Sequence, residues 1–404
     1  MNMNIPLSEH SVRPAEGWPL PPMPNGNREA LEVYQALRTQ RIRKRRGFTI
    51  NEFERFPIGQ ATYEAIYHLD DRALTGTEAR EAMAREGITL RKESIHLPFE
   101  PTDPLSLSPM ARMHSAFLQF EAAQAAYRSD VLYIEVAEGQ TPAGRLELRV
   151  TGEANRVAFP EVHVRLGQEV DVNITLHVET PEQGALIGRS VAEVGTHSRL
   201  TFITWHEAPE ASLQWFNHRL TAHRDSRVLW INIMDGKGAV EVHNQSFLAA
   251  PGAEVLMRGL SIGKDQARAL IFSTQEHLEG HNHSDLLYKS VLDDKSRVFY
   301  DGLIRIHEKA QQANAYQKHN NLMLNPNART DTVPNLEIMA NDVRCTHGAT
   351  VGRVDRDQLY YLMTRGLSRE VAERLLIIGF CQEILADMPA FARETLEERV
   401  ASLA

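Results

Sequence analysis

Histidine and cysteine carry the metal and sulfur chemistry available to this sequence. Thirteen of its 17 histidines lie between His163 and His347, and its only cysteines are Cys345 and Cys381. Cys345 and His347 form a C-x-H pair. On a strand, where side chains alternate, the thiol and imidazole share one face with their Cα atoms about 7 Å apart. Thiolate and imidazole suit zinc or iron, but such sites want three or four ligands, so the pair is at most half a site, completed by another chain or a substrate. The plainer reading is a small buried thiol next to a polar strand residue, since free cysteine is commonly an apolar core residue. A cysteine-protease arrangement is weaker, with no elbow motif and no third residue to orient the histidine. The densest histidine cluster, EHLEGHNHSD, holds His277, His281 and His283. The last two would share a strand face and three imidazoles could bind zinc, yet no carboxylate sits at a zincin spacing, and half-buried strand histidines explain them as well. His243 in VEVHNQSF and His307 in IRIHEKA are weaker candidates again. GxGxxG and GxxxxGK[ST] do not occur, so the chain offers no nucleotide site and any ATP chemistry has to come from a partner.

The elements that must position these residues change texture twice. Residues 1–27 are proline-rich (Pro6, Pro14, Pro19, Pro21, Pro22, Pro24) and read as an extended arm. Residues 28–128 read as mainly helical: Arg28 to Arg46 with Leu31, Tyr34, Leu37 and Ile42 in helical spacing, then Thr77 to Glu86, then Pro104 to Tyr127. The basic run Arg41–Arg46 (RIRKRR) reads as a solvated helix end, having no aromatic stacking partners. After Ser129 the period becomes two, in VLYIEVA, RLELRV, VDVNITLHV, RLTFITW and RVLWINIM, and short strands follow to about Arg344. A sandwich or barrel and a stacked solenoid both satisfy this pattern. No strict repeat appears in the letters; Asn320, Asn321 and Asn325 favour a solenoid with stacked asparagines. From Val354 helices return, capped by Asp355 and Ser368. The helix from Arg369 to Met388 is apolar well beyond one stripe, so it needs two burial surfaces, one of them on a second protein.

Composition bounds the rest. With 404 residues, 42% hydrophobic and 24% charged, the chain can bury a large core. A formal charge of −9 has the wrong sign for general attraction to nucleic acid or anionic lipid. Two cysteines make no disulfide framework, the first residues lack a secretory pattern, and no stretch reaches the roughly 20 apolar residues of a membrane span, so the expected home is cytoplasmic.

The stretch from about Gln311 to Ile384 resembles the SufB/SufD family of the SUF iron-sulfur cluster assembly system, and within it the SufD members. NLMLNPNARTDTVPNLEI, DVRCTHGATVG, QLYYLMTRGL and IIGF follow in family order, and HNHSDLLYKSVLDDKSRVFYDGLIRIHEKAQQ extends the likeness upstream. It holds well from about Ser190 to the C-terminus and loosely before. The resemblance implies a mainly β protein, a right-handed parallel β-helix core over 129–353 between an N-terminal helical domain, 28–128, and a C-terminal one, 354–404. It implies a subunit without catalysis of its own. That subunit pairs with SufB through the β-helix and docks the ATPase SufC on its C-terminal helices, through Leu359, Tyr360, Leu362, Met363, Val371, Leu375 and Ile378. His347 matches a histidine at the SufB interface, where a transient iron-sulfur cluster or iron is held, and Cys345 matches a neighbouring cysteine of less secure role. Gly348 stands where SufB carries a glutamate, and the SufB scaffold cysteine has no counterpart here. Thr346 replaces the family's commoner serine. A homodimer of the isolated chain and the binding of reduced flavin stay open. The rival readings are an adaptor for SufC without cluster contact and, further off, a β-helix enzyme acting on polysaccharide.

Overall fold

The computed structural model describes residues 28–38, 47–70, 72–94, 99–112, 116–401 and 403. The expected proline-rich arm and the basic run Arg41–Arg46 lie outside the described residues. The helices are α1 (Arg28–Arg38), α2 (Ile50–Glu54), α3 (Gly76–Arg85), α4 (Pro109–Arg112), α5 (Ala116–Tyr127), α6 (Arg356–Thr364), α7 (Arg369–Asp387) and α8 (Ala390–Ala401). The first strands are β1 (Thr62–Leu69), β2 (Arg72–Leu74), β3 (Ile88–Glu93), β4 (Val131–Val136), β5 (Arg145–Thr151), β6 (Val157–Ala158) and β7 (Glu161–Leu166). They are followed by β8 (Asp171–Glu179), β9 (Ala185–Val194), β10 (Arg199–Ala208), β11 (Leu213–Ala222), β12 (Arg227–Gly236), β13 (Ala239–Leu248) and β14 (Glu254–Gly263). The last are β15 (Arg268–His277), β16 (His283–Leu292), β17 (Arg297–Ile306), β18 (Asn314–Met323), β19 (Arg329–Ile338) and β20 (Arg344–Arg353).

From β8 onward the chain shuttles between two sheets. Even-numbered strands stack in the order β8-β10-β12-β14-β16-β18-β20, and odd-numbered strands stack opposite them from β9 to β19. All these neighbours pair in parallel, which excludes the antiparallel sandwich and leaves a β-helix of about eight turns. Its period is written in backbone conformation. Glu169, His197, Asp225, Gly252, His281 and Gln312 all have positive φ, each two residues before a strand of the even-numbered sheet. Most of their N–H groups donate to a carbonyl of the next coil, as His197 N does to Arg224 O at 2.9 Å and His281 N to Gln311 O at 3.0 Å. Only the backbone geometry repeats, so residues that tolerate it interchange and the letters show no repeat.

Three apolar layers hold the coils. Inside lie the inward residues of both sheets, among them Val172, Ile174, Phe202, Trp230, Val242, Ile271 and Tyr300. Outside the odd-numbered sheet, α1, α2 and α5 pack Tyr34, Phe53, Phe117 and Phe120 on Trp215, Phe272 and Phe299. Outside the even-numbered sheet, α7 and α8 pack Ile377, Cys381, Ile384, Leu385 and Leu396 on Trp205, Ile231, Ile233, Leu260 and Leu287. Central strands are therefore buried on both faces, β13 along its whole length.

The N-terminal region carries the expected helices and, in addition, strands β1, β2 and β3 that the sequence reading did not place. β1 and β3 pair antiparallel with β5 and β4, and α3 sets Ala79, Ala82 and Met83 against the inner core, so this segment plugs one end of the solenoid. The other end, at β19 and β20, bears no such plug among the described residues. The stacked asparagines did not appear at 320, 321 and 325. Asn320 Oδ1 accepts from Thr350 Oγ1 at 2.8 Å, Asn321 bonds to Thr330 and Thr350, and Asn325 closes a turn on Asn327 N.

Candidate functional site

Cys345 and His347 lie on β20, the outermost strand of the even-numbered sheet, so among the described residues one of its edges is unpaired. Alternation puts both side chains on the inward face, as their spacing required. Their surroundings differ. Cys345, in register with Ala315, packs on a thin layer of Ile304, Ile306, Ala310, Ala313 and Ala340, and burial pushes its thiol up to about 11. At neutral pH it is a thiol, and a metal or cation must approach before it serves as a thiolate. His347 is exposed, and among the described residues its imidazole has no hydrogen-bond partner. Gly348 beside it has open space around its Cα. Two potential ligands at an open end make an incomplete site. The mouth around them is partly apolar, with Ile338, Met339 and Val351 exposed.

Among the described residues, the other histidines except His281 have imidazole partners inside this chain. His277 is buried, its Nε2 2.8 Å from Ser284 Oγ. His281 occupies the positive-φ turn position, at φ 60°, rather than a strand, and His283 opens β16 with Nδ1 3.2 Å from Asn314 O. The shared strand face expected for His281 and His283 is thus absent, because the coil turn falls between them. His243 stacks on Phe272 and bonds Glu241 Oε1 at 2.9 Å, and His307 bonds Glu276 Oε1 at 2.6 Å. One grouping escaped the sequence reading: His177, Glu179 and Glu207 gather their ligand atoms within 4.8 Å. Each imidazole nitrogen faces a different carboxylate, Nδ1 to Glu179 at 3.3 Å and Nε2 to Glu207 at 3.0 Å, and Arg399 of α8 lies 2.6 Å from Glu207. A guanidinium so close competes with a cation, and the group reads as an ion-pair clasp between the coils and α8. H-x-E on β8 was visible in the sequence; its pairing one coil later was not.

The expected docking residues fall into two sets. Tyr360, Met363, Val371 and Leu375 are exposed, Tyr360 by 71% and Leu375 by 48%, and Tyr361 adds to them. Leu362 and Ile378 are half-buried, and Leu359 is buried. The caps are as the sequence required: Asp355 Oδ1 accepts from Asp357 N and Gln358 N, and Ser368 Oγ from Val371 N. Among the described residues no helix is long and apolar enough to cross a membrane.

Comparison with known proteins adds the family. Residues 148–380 match the family model described as SUF system FeS cluster assembly, SufBD core domain, a span that takes in the coils, β20 and most of α7. Over 262 residues the chain is 30% identical to the iron-sulfur cluster assembly protein SufD of Escherichia coli K12, covering 63% of this chain and 62% of that one. It is 29% identical to the Bacillus subtilis 168 protein of the same name, over 56% of this chain and 53% of that one. To the chloroplastic protein ABCI7 of Arabidopsis thaliana it is 27% identical, over 64% and 57%. The matches thus span less than two thirds of each of these relatives. With the family model covering more than half of the sequence and the parallel β-helix beneath it, the chain belongs to the SufBD family of SUF-system iron-sulfur cluster assembly proteins, as a SufD-type member.

Proposed function

We propose that this chain is an assembly subunit, without catalysis of its own, that pairs with a SufB-type protein through the open end of its β-helix and there supplies half of a site for a transient iron-sulfur cluster. The observation that carries this reading is the position of His347 and Cys345, two residues apart on the inward face of the last strand of the sheet. Two ligands cannot close a tetrahedral iron site, so the partner brings the rest. A neutral imidazole ligates iron or accepts a proton as sulfide enters. The exposed apolar face of α6 and α7 suits docking of a SufC-type ATPase, which supplies the ATP hydrolysis this chain has no loop for. The cytoplasm is the compartment in which such a thiol stays reduced.

The test is co-expression with SufB- and SufC-type partners and iron and sulfide analysis of the purified complex. His347→Ala is expected to leave the complex assembled and to lower cluster yield strongly, with Cys345→Ser giving a smaller loss. Wild-type yield from the His347→Ala complex would withdraw the site and leave an adaptor that only holds the ATPase. The same isolation, with the chain alone, shows whether it homodimerises.

A further inference from the structure

Directly beneath His347 lies an amide with nothing to bond. Gln317 of β18 is the register partner of His347, one coil in from the open end and on the same inward face. Its side chain is fully buried, and neither Oε1 nor Nε2 has a hydrogen-bond partner in the protein. Burying a carboxamide unpaired is costly, a cost that an apolar residue of similar size would avoid. The surroundings are shaped to hold it there. Gly302 of β17 faces it, and a Cβ at that position would run into Gln317 Nε2 and the Tyr300 hydroxyl. Gln275 of β15 is also buried and unpaired, but it sits beneath Ile304 and Leu336 in register, sealed from the open end. Gln317 alone of these two is the register neighbour of the exposed histidine.

Resting on the site proposed above, we infer that Gln317 is a positioning residue of that site, donating its Nε2–H to an inorganic sulfide as it is built into iron at His347. A sulfide entering a site that the partner seals loses its water. A fixed N–H at the floor replaces part of that hydration without reorganising, and a hydrogen bond to an anion is about twice as strong as one between neutral groups. Hydrogen bonds to cluster sulfurs also raise the reduction potential, because the reduced cluster carries more negative charge.

The experiment uses the full chain in complex with its SufB- and SufC-type partners, supplied with ferrous iron and sulfide, and compares Gln317→Leu, Gln317→Met, Gln275→Leu and His347→Ala. Gln317→Leu is expected to slow cluster formation about tenfold, to lower the reduction potential of the cluster that does form, and to hold or raise the Tm of the chain, since an orphaned amide has been removed. Gln317→Met repeats the test with an unbranched side chain should leucine not fit against Gly302. Gln275→Leu is expected to keep the wild-type rate. A wild-type rate and potential in both Gln317 variants overturns the inference, and so does a fall in Tm that tracks the rate in Gln317→Leu and Gln275→Leu alike, which would mark a structural role. If His347→Ala also assembles clusters at the wild-type rate, the site itself fails; if only His347→Ala is slow, the site stands and the role of Gln317 fails.

Discussion

Single residues in this protein are tuned by burial more than by charge. His206, His277 and His319 are buried inside the coils and held down to about 4, 3 and 3, and His218 is lowered as well, in each case chiefly by loss of hydration. They are neutral hydrogen-bonding groups: His206 and His218 meet Nε2 to Nε2 at 2.9 Å, and His319 bridges Ser290 Oγ and Thr332 Oγ1. The consequence for stability has a definite sign. Below the ordinary value of 6.5 the unfolded chain takes up protons that the folded chain refuses, so stability is held above pH 6.5 and lost as the pH falls toward these lowered values. Each such histidine costs about 1.4 kcal/mol per pH unit in that window, or about 2 kcal/mol between pH 6.5 and pH 5. We expect the urea midpoint to fall steeply from pH 7 to pH 5, and His319→Gln, which keeps a donor and an acceptor, to flatten that fall by one histidine's share. An unchanged slope would mean that His319 is protonated in the folded state. At this scale the sequence showed which residues could do chemistry but not which were already satisfied. C-x-H on a strand was legible, because alternation is local. The hydrogen bonds of His277 and His307 were hidden, because their partners come from across a turn or from a neighbouring coil.

Elements show where patterning speaks and where it falls silent. Helices α6 and α7 were legible from caps and spacing. Strands β13 to β17 lost most of their alternation because helices cover their outer faces, so the two-residue period that marks a half-exposed strand fades. β1 to β3 went unseen because they are short or polar and sit among helices. The surplus of apolar residues on α7 divides between a face buried on the coils and an exposed one. Ile377, Cys381, Ile384 and Leu385 face the coils, tied there by Arg258 to Asp387 at 2.5 Å and Lys289 to the Phe380 carbonyl at 2.6 Å, while Val371 and Leu375 stay outside. Deleting residues 354–404 is for this reason a poor test of docking: it would bare Trp205, Ile231, Ile233, Leu260 and Leu287 and invite aggregation. Point changes separate the surfaces. Val371→Glu with Leu375→Glu should alter stability by no more than about 0.5 kcal/mol per site, as exposed positions do, and abolish capture of the proposed ATPase partner. Ile384→Ala should cost about 2–5 kcal/mol. Capture that survives the double change would move the docking surface elsewhere.

The whole molecule is a stack with two unlike ends. A solenoid needs its terminal coils covered, since each coil hides its core only against its neighbours. The N-terminal end is closed within the chain by β1, β2, α3 and β3, whose antiparallel turn-back stops the parallel stack from growing. Among the described residues the C-terminal end leaves β19 and β20 as edges, with Ile338, Met339 and Val351 exposed around the mouth and a thin apolar layer of Ile304, Ile306, Ala310, Ala313, Ala315 and Ala340 beneath. This asymmetry could not be read from periodicity, which marks strands but not which edge stays unpaired, and the resemblance alone pointed to it. An exposed edge with apolar residues is a template for association unless charge protects it. On β20 the inward positions that could carry such protection hold Cys345, His347, Ala349 and Val351, with a charge only at Arg353. An end of this kind suits the association proposed above. Val351→Lys with Ile338→Lys should weaken that association at least tenfold while leaving the Tm of the single chain within a few degrees, because both side chains are already in water. Sedimentation of the chain alone reads its self-association, and co-purification reads its pairing with the SufB-type partner. If both are untouched by two buried-on-association lysines, the mouth of the solenoid is not the interface. His347 and Gln317 would then sit at an end that no partner seals, and a cluster site there would lose its missing ligands.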